Sequence, residues 1–362
     1  REQDHRKNSR RYQKRAAARR RRNTIFIMEI VLLLILAVVL FFVSKLSKIE
    51  KTKLDMDKIE VNEDISQESR KIMKGYQTIA MFGLDNRSNG NLSQGRSDVI
   101  MLANINNDTK EVKLVSVYRD TYLDTGDGIF QKCNAAYAKG GPEQAISMLN
   151  VNLDLNITDY VTVDFNSIIE CVDLLGGVDM EITDDEASLM TGYIRELNEL
   201  TGNKAENLTQ GGTYTLNGVQ ACAYARIRYG GGDDYRRTER QRTVLTAMVK
   251  KAQQSDLTTV NKLINEVCGD IQTSFSNAEL LALASQVFQY SIGDTTGFPF
   301  AKTTKVLSKK TGDVVIPCDL SDNVNELHIF LYEDSAYTAS DTVKQNSEKI
   351  VSDTGFKSGD GH

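Results

Sequence analysis

The chain has 362 residues, 40% of them apolar and 26% charged. That composition excludes a fully disordered or collagen-like polymer and leaves room for one core of about 250 residues or two smaller ones. The net charge of −5 averages two opposite parts: residues 1–22 hold 11 Lys/Arg and two acids (Glu2, Asp4), a local +9, and the remainder carries −14. Three prolines and no tryptophan argue against a Pro-rich wall-spanning stalk.

The basic block runs into residues 25–43, IFIMEIVLLLILAVVLFFV, in which Glu29 is the only charge. At 1.5 Å per residue this stretch reaches roughly 28 Å, close to the hydrocarbon thickness of a bilayer. A cleaved signal peptide is the competing reading. The run is longer than a usual signal core, however, and Ser44-Lys45-Leu46-Ser47-Lys48 offers no small-x-small cleavage site. The expectation is a basic cytoplasmic segment over 1–23, a single transmembrane helix over 24–44, and everything from Lys45 outside the cell. The same basic block could bind nucleic acid. A basic run abutting an apolar helix serves more often as a topology signal and anionic-lipid contact, so no nucleic-acid partner is expected. Outside the membrane there is no ATP, so an enzyme there must spend an already activated bond or simply hydrolyse one.

Residues 45–75 are charged and sparsely apolar and read as a stem and linker. A domain is predicted over 76–335. Residues 77–85 form an apolar strand ending in an Asn/Gly/Ser loop, and 99–105 and 111–118 are two β runs joined by Asn106-Asn107-Asp108-Thr109-Lys110, a hairpin. Pro142 begins a helix, DYVTVDF is a strand, and Asn166 is the expected N-cap of a helix closed by Gly176-Gly177. VDMEI is a further strand, TLNGVQACAYARIRY a helix turning into a loop, and TERQRTVLTAMVKKAQQ an amphipathic helix. Helical segments near 257–268 and 276–290 and a last αβ portion complete the core, and residues 336–362 read as a tail. Strands interleaved with helices imply an α/β fold, a three-layer α-β-α domain with a mixed sheet.

Five cysteines lie well apart in the exported part with no CxxC pair, so a structural zinc site is not expected, whereas one or two disulfides are. Cys171, inside an apolar helical run, reads as a buried small hydrophobe. No phosphate-binding P-loop, GxSxG or HExxH motif occurs, and the three histidines are His5, His328 and His362, which removes the usual base for Ser or Cys hydrolysis.

Two clusters can carry chemistry. Asp85, Arg87, Arg96 and Asp98 bracket the loop after the first strand, and Arg119 and Asp120 follow the hairpin. Two carboxylates at strand ends can converge and offer hard oxygens to Mg²⁺; the alternative is a solvated surface loop. The second cluster is Tyr224-Ala225-Arg226-Ile227-Arg228, a glycine stretch, and 233–242, DDYRRTERQR. Arg226 and Arg228 share a face in extended chain, and Arg237, Arg240 and Gln241 share a helical face. Arginine forks grip phosphate oxygens from several sides. Salt bridges to Asp233, Asp234 and Glu239 account for Arg236 and Arg242, and RNA is disfavoured by topology and by the few aromatics present.

The strings GLDNRSN, GRSDVIMLANIN, VKLVSVYRDTYL, CNAAYAKGG, DYVTVDFNSIIECVDLLGGVDMEI, LNGVQACAYARIRY and DDYRRTERQR stand in this order over about 76–254. Together they resemble the LytR-CpsA-Psr family, extracytoplasmic phosphotransferases of mainly Gram-positive bacteria. The resemblance implies transfer of a glycopolymer, of teichoic acid or capsule type, from a polyprenyl-pyrophosphate lipid to a peptidoglycan sugar hydroxyl, with pyrophosphatase activity as a side reaction. It implies Mg²⁺ held by Asp85 and Asp98. It implies pyrophosphate binding by Arg96, Arg119, Arg226, Arg228, Arg237, Arg240 and Gln241, and catalytic roles for Arg119, Asp98 and Asp234. Arg236 departs from the family pattern at a position often held by glycine. The rival readings are a non-catalytic scaffold or sensor that binds the lipid pyrophosphate, and a DNA-binding regulator, which would require the apolar run to lie outside a membrane. No protein partner follows from the sequence.

Overall fold

The computed structural model describes residues 50–51, 54–84, 92, 95–228, 234–256, 259, 262–263 and 271–361. The expected cytoplasmic segment, the membrane segment, Asp85, Arg87 and Cys268 lie outside them. Among the described residues no helix is long and apolar enough to cross a membrane.

In chain order the elements are β1 (Glu50–Lys51), a 3₁₀ turn (Met56–Lys58), α1 (Gln67–Met73), β2 (Tyr76–Leu84), β3 (Ser97–Asn106), β4 (Glu111–Val117), β5 (Tyr122–Asp124) and β6 (Phe130–Lys132). Next come α2 (Ala135–Leu153), β7 (Asp159–Asp164), α3 (Phe165–Leu174), β8 (Val178–Ile182), α4 (Asp184–Thr201), β9 (Gly212–Leu216), α5 (Gly218–Arg226) and α6 (Asp234–Gln254). β10 (Ile271–Thr273), α7 (Asn277–Ser285), β11 (Ser291–Phe298), β12 (Lys302–Ser308), β13 (Gly312–Pro317), α8 (Leu320–Tyr332) and α9 (Asp341–Thr354) complete the chain.

The main sheet has seven strands in the order β1-β10-β7-β2-β3-β4-β11. The β2–β3–β4 meander is antiparallel, whereas β7 and β11 join it parallel, so the sheet is mixed as expected. Its strands are apolar on both faces because both are covered. Ala80, Phe82, Ile100, Leu102 and Val115 point to one side, into a core shared with α2, α8 and α9. Their neighbours Ile79, Met101, Ala103 and Leu114 point to the other, against Phe275 and the apolar faces of α6 and α7. A second core holds α3, the β8–β9 hairpin, α4, α5 and part of α6. VDMEI is therefore a strand, but of that separate hairpin and not of the main sheet.

Four expectations are corrected. The stem is part of the domain from Leu54 onward: Ile59, Ile65 and Met73 are buried in the core that also holds α2, too irregularly spaced to announce themselves as a helical stripe. The expected tail is also folded. Ser340 caps α9, Gly355 ends it in the left-handed region, and Val343 and Ile350 are fully buried. The cap of α3 is Asp164, which accepts from Ser167 N at 2.9 Å, and not Asn166, which lies within the helix. Finally, no disulfide joins Cys133, Cys171, Cys222 and Cys318 to one another, and Cys171 is only half-buried.

Candidate active site

β3 and β4 run antiparallel, so the start of one and the end of the other reach the same edge of the sheet. Asp98 is the second residue of β3 and Arg119 follows β4 by two, and their side chains meet: Arg119 Nη1 donates to Asp98 Oδ1 at 2.7 Å. Gly83 stands opposite Val99, where an added Cβ would lie 2.9 Å from the valine's own Cβ. The glycine thus lets Val99 press close to β2 at the site wall.

The remaining arginines come from α5 and α6. Helix α5 stops at Arg226 because Ile227 turns to φ −53°, ψ 131°, which leads Arg228 out in extended chain. The Arg226 guanidinium lies 5.0 Å over the Phe165 ring and 5.7 Å over Tyr193, and donates to Glu196 of α4 at 3.2 Å. On α6, Asp234, Arg237 and Gln241 stand at i, i+3 and i+7 and share a face. Arg237 pairs with Asp234 at 2.8 Å, and the second Asp234 oxygen is 3.9 Å from Arg119 Nε. Arg119 thus stands between two carboxylates.

Asp98, Val99, Arg119, Phe165, Tyr193, Arg226, Arg228, Arg237 and Gln241 enclose a cavity of about 320 Å³. A second, apolar cavity of about 130 Å³ shares Val99, Phe165, Arg226 and Gln241 with it and runs between the sheet and α6, walled by Met101, Val163, Ile168, Val244 and Met248. The polar cavity carries more cation than its carboxylates absorb. Arg119 Nε, Arg226 Nη1, Arg237 Nε and Arg237 Nη1 are buried without a hydrogen-bond partner among the described residues. Buried polar groups are almost always paired, so unpaired guanidinium N–H groups on residues that line a cavity call for an anion. Burial pulls the Arg237 guanidinium down to about 10; Asp234 opposes that fall, while Arg119 and Arg228 add to it. Burial also works against the charge on Arg119, but Asp98, Asp234 and Asp120 outweigh it and raise its affinity for the proton. Both remain cations at neutral pH.

Of the residues singled out in the sequence, Asp98, Arg119, Arg226, Arg228, Arg237 and Gln241 line this one cavity, and Asp234 stands behind it. Arg96 is exposed just before β3 and is not part of the wall. Arg240 does not line this cavity: it is buried, donates to Glu186 of α4 at 3.0 Å and stacks 5.8 Å over Tyr224. Arg242, expected in a salt bridge, makes none among the described residues; it is buried near Tyr118 and Glu239. Nothing in the sequence pattern marks Glu186, Glu196, Phe165 or Tyr193 as part of the site. Glu186 does stand in a Thr183-x-x-Glu186 capping box, a signal for a helix start and not for an arginine partner. Among the described residues no group of three or more His, Cys, Asp or Glu is placed to hold a metal ion, and Asp85 lies outside them.

The family model described as the LytR_cpsA_psr family matches residues 36–297. The polyisoprenyl-teichoic acid–peptidoglycan teichoic acid transferase TagU of Enterococcus faecalis is 30% identical over 210 residues, 57% of this chain and 64% of that protein. For the corresponding transferase TagV of Bacillus subtilis the identity is 30% over 195 residues, 52% of this chain and 48% of that one. The matches thus span about half to two thirds of these relatives. The crystal structure of B. subtilis TagV superposes with a TM-score of 0.56 at 25% identity, covering 74% of this chain and 99% of that one. A family protein solved with bound octaprenyl pyrophosphate lipid, YwtF (TagT), shares the fold at a TM-score of 0.52 and 21% identity, over 72% of this chain and 92% of its own. The model match covers well over half the chain: this protein belongs to the LytR-CpsA-Psr family.

Proposed function

We propose that the protein is a membrane-anchored phosphotransferase. It moves a polyprenyl-pyrophosphate-linked glycopolymer of teichoic acid or capsule type onto a sugar hydroxyl of peptidoglycan, outside the cell. The observation that carries this reading is the junction of the two cavities. Arginines with unpaired buried N–H groups line the polar one, and the apolar one is walled in part by the same residues, Phe165, Arg226 and Gln241. A diphosphate head with an isoprenoid tail matches both halves. The relatives' names, and the solved family member with octaprenyl pyrophosphate, support the same substrate class.

In this reading Arg119, Arg226, Arg228 and Arg237 hold the diphosphate oxygens, and Gln241 marks the point where head meets tail. The acceptor hydroxyl attacks the phosphorus that bears the glycopolymer; a phosphodiester forms, the P–O–P bridge breaks, and polyprenyl phosphate leaves. The hydroxyl proton passes to a carboxylate of the Asp98–Asp234 pair that Arg119 joins, while the arginines neutralise charge gathering on the leaving phosphate. Water in place of the sugar gives the side hydrolysis. Among the described residues Arg119 takes only Oδ1 of Asp98, a residue of the cavity wall, which leaves that carboxylate a hard oxygen for a cation. Asp98, with Asp85, would hold Mg²⁺, which supplies further neutralisation of phosphate charge when bound. Residues 24–44 anchor the enzyme, with its N-terminus in the cytoplasm.

The test is the full chain in vesicles with a labelled lipid-linked oligosaccharide and peptidoglycan fragments, with Mg²⁺ and then with chelator. Label passing to the fragments with release of polyprenyl phosphate is the expected result. Tight binding without release, with or without Mg²⁺, would instead identify a non-catalytic scaffold or sensor.

A further inference from the structure

The hairpin β12–β13 lies beyond the residues that the family model matches, yet it is tied to the loop that carries Arg119. Val315 N of β13 donates to Asp120 O at 2.9 Å and Thr121 bridges to Val315, while β11, the strand just before the hairpin, accepts Tyr118 N at Phe298 O at 3.0 Å. Gly297 leaves room for the Tyr118 phenol, whose oxygen would be 2.1 Å from an added Cβ. The Tyr118 ring meets Tyr235 edge-on at 4.6 Å. These rings belong to the residues next to Arg119 and Asp234 respectively.

Over both rings sits Lys302, the first residue of β12. Its Nζ is 4.8 Å from the Tyr235 centroid and 5.5 Å from that of Tyr118, and donates to Phe300 O at 3.1 Å. No carboxylate pairs with it within 4 Å among the described residues, so ring faces and one carbonyl hold the charge. Burial lowers its proton affinity, with Glu326 opposing.

We infer that Lys302 is a positioning residue for the anion cavity: it clamps Tyr118 to Tyr235 and thereby fixes the Arg119–Asp234 pair that these residues adjoin. The inference rests on the pyrophosphate reading of the cavity. It makes the C-terminal hairpin part of the construction of the site.

The experiment compares Lys302→Met and Lys302→Arg with the parent in the full chain. The guanidinium Nε resonance of Arg119 is followed by NMR, and lipid-pyrophosphate turnover is measured in vesicles. K302M is expected to shift the Arg119 signal and lower kcat about tenfold, with KM within about twofold and the thermal midpoint little changed; K302R should restore both. An unmoved Arg119 signal in K302M overturns the inference, as does a loss of activity in proportion to lost folded protein. Should the parent itself fail to turn over, the proposed function falls, and the Arg119 signal still decides the role of Lys302.

Discussion

At Asp154, the left-handed residue that ends α2, a fully buried carboxylate accepts from Ser340 N at 2.8 Å, Ser340 Oγ at 2.7 Å, Asn62 Nδ2 and the Tyr337 hydroxyl. At the cavity, on the far side of the same strands from α2, buried guanidinium groups are left with open N–H donors. Both centres bring charge out of water, a step that costs several kcal/mol unless it is answered by partners. The first is answered from within the chain and fastens three stretches together: the residues before α1, the end of α2 and the start of α9. The second is answered in part by Asp98, Asp234 and Glu196, and the remaining donors are left for a ligand. Burial of charge by itself therefore separates nothing, and an open hydrogen-bond count marks a binding site only where the open donors belong to residues that line a cavity, since Arg242 Nε and Nη1 are open away from it.

The contrast breaks most sharply at Arg119. Arg119→Ala is expected to lower lipid-pyrophosphate turnover by about a thousandfold, in the range seen when one donor to a developing oxyanion is lost. Its thermal midpoint should stay within a few degrees of the parent, because the residue's own hydrogen bonds are incomplete. Near-parent turnover of purified R119A in vesicles would remove Arg119 from the site. Asp154→Ala should show the reverse. Four donors lose their acceptor, so stability should fall by about 3 kcal/mol, read as a thermal midpoint lower by about 6 °C. The specific activity of the fraction that remains folded should persist. A stable D154A protein would mean that the three stretches are held by apolar packing alone.

What was legible in the sequence follows the same division. The β3–β4 hairpin could be read because its turn and its two apolar runs are adjacent, and the Arg237/Gln241 face because helical period is local. The orientation of Arg240 could not be read, since its partner Glu186 stands 54 residues away on a helix whose only local signal is a cap. Nor could the Asp154 centre, whose partners lie 92 residues before it and 186 after it. For the same reason the segments on either side of the domain read as stem and tail in the sequence: three scattered apolar residues and a polar helix show no pattern until the core around α2 is assembled. The cavity's chemistry survived because arginines cluster in sequence, whereas the fastening is made of ordinary Asp, Asn, Ser and Tyr.

Glu196 sharpens the comparison at its weakest point, where the chain partly closes the binding site against itself. Its carboxylate accepts from Arg226 at 3.2 Å while 38% exposed, and the arginine is 15% exposed, pinned between the Phe165 and Tyr193 rings. An incoming phosphate competes with that carboxylate for the same guanidinium. Glu196→Gln keeps the shape and removes the charge, and the rings continue to orient Arg226. Because the pair is screened by solvent, its loss is worth only about 0.5 kcal/mol. Inorganic pyrophosphate should therefore bind E196Q about twofold more tightly at low salt, with the gain shrinking as ionic strength rises. Calorimetric titration at two salt concentrations checks it. Weaker binding by E196Q would show that Glu196 holds Arg226 in its binding pose, and would move that pair from the open side of the comparison to the closed one.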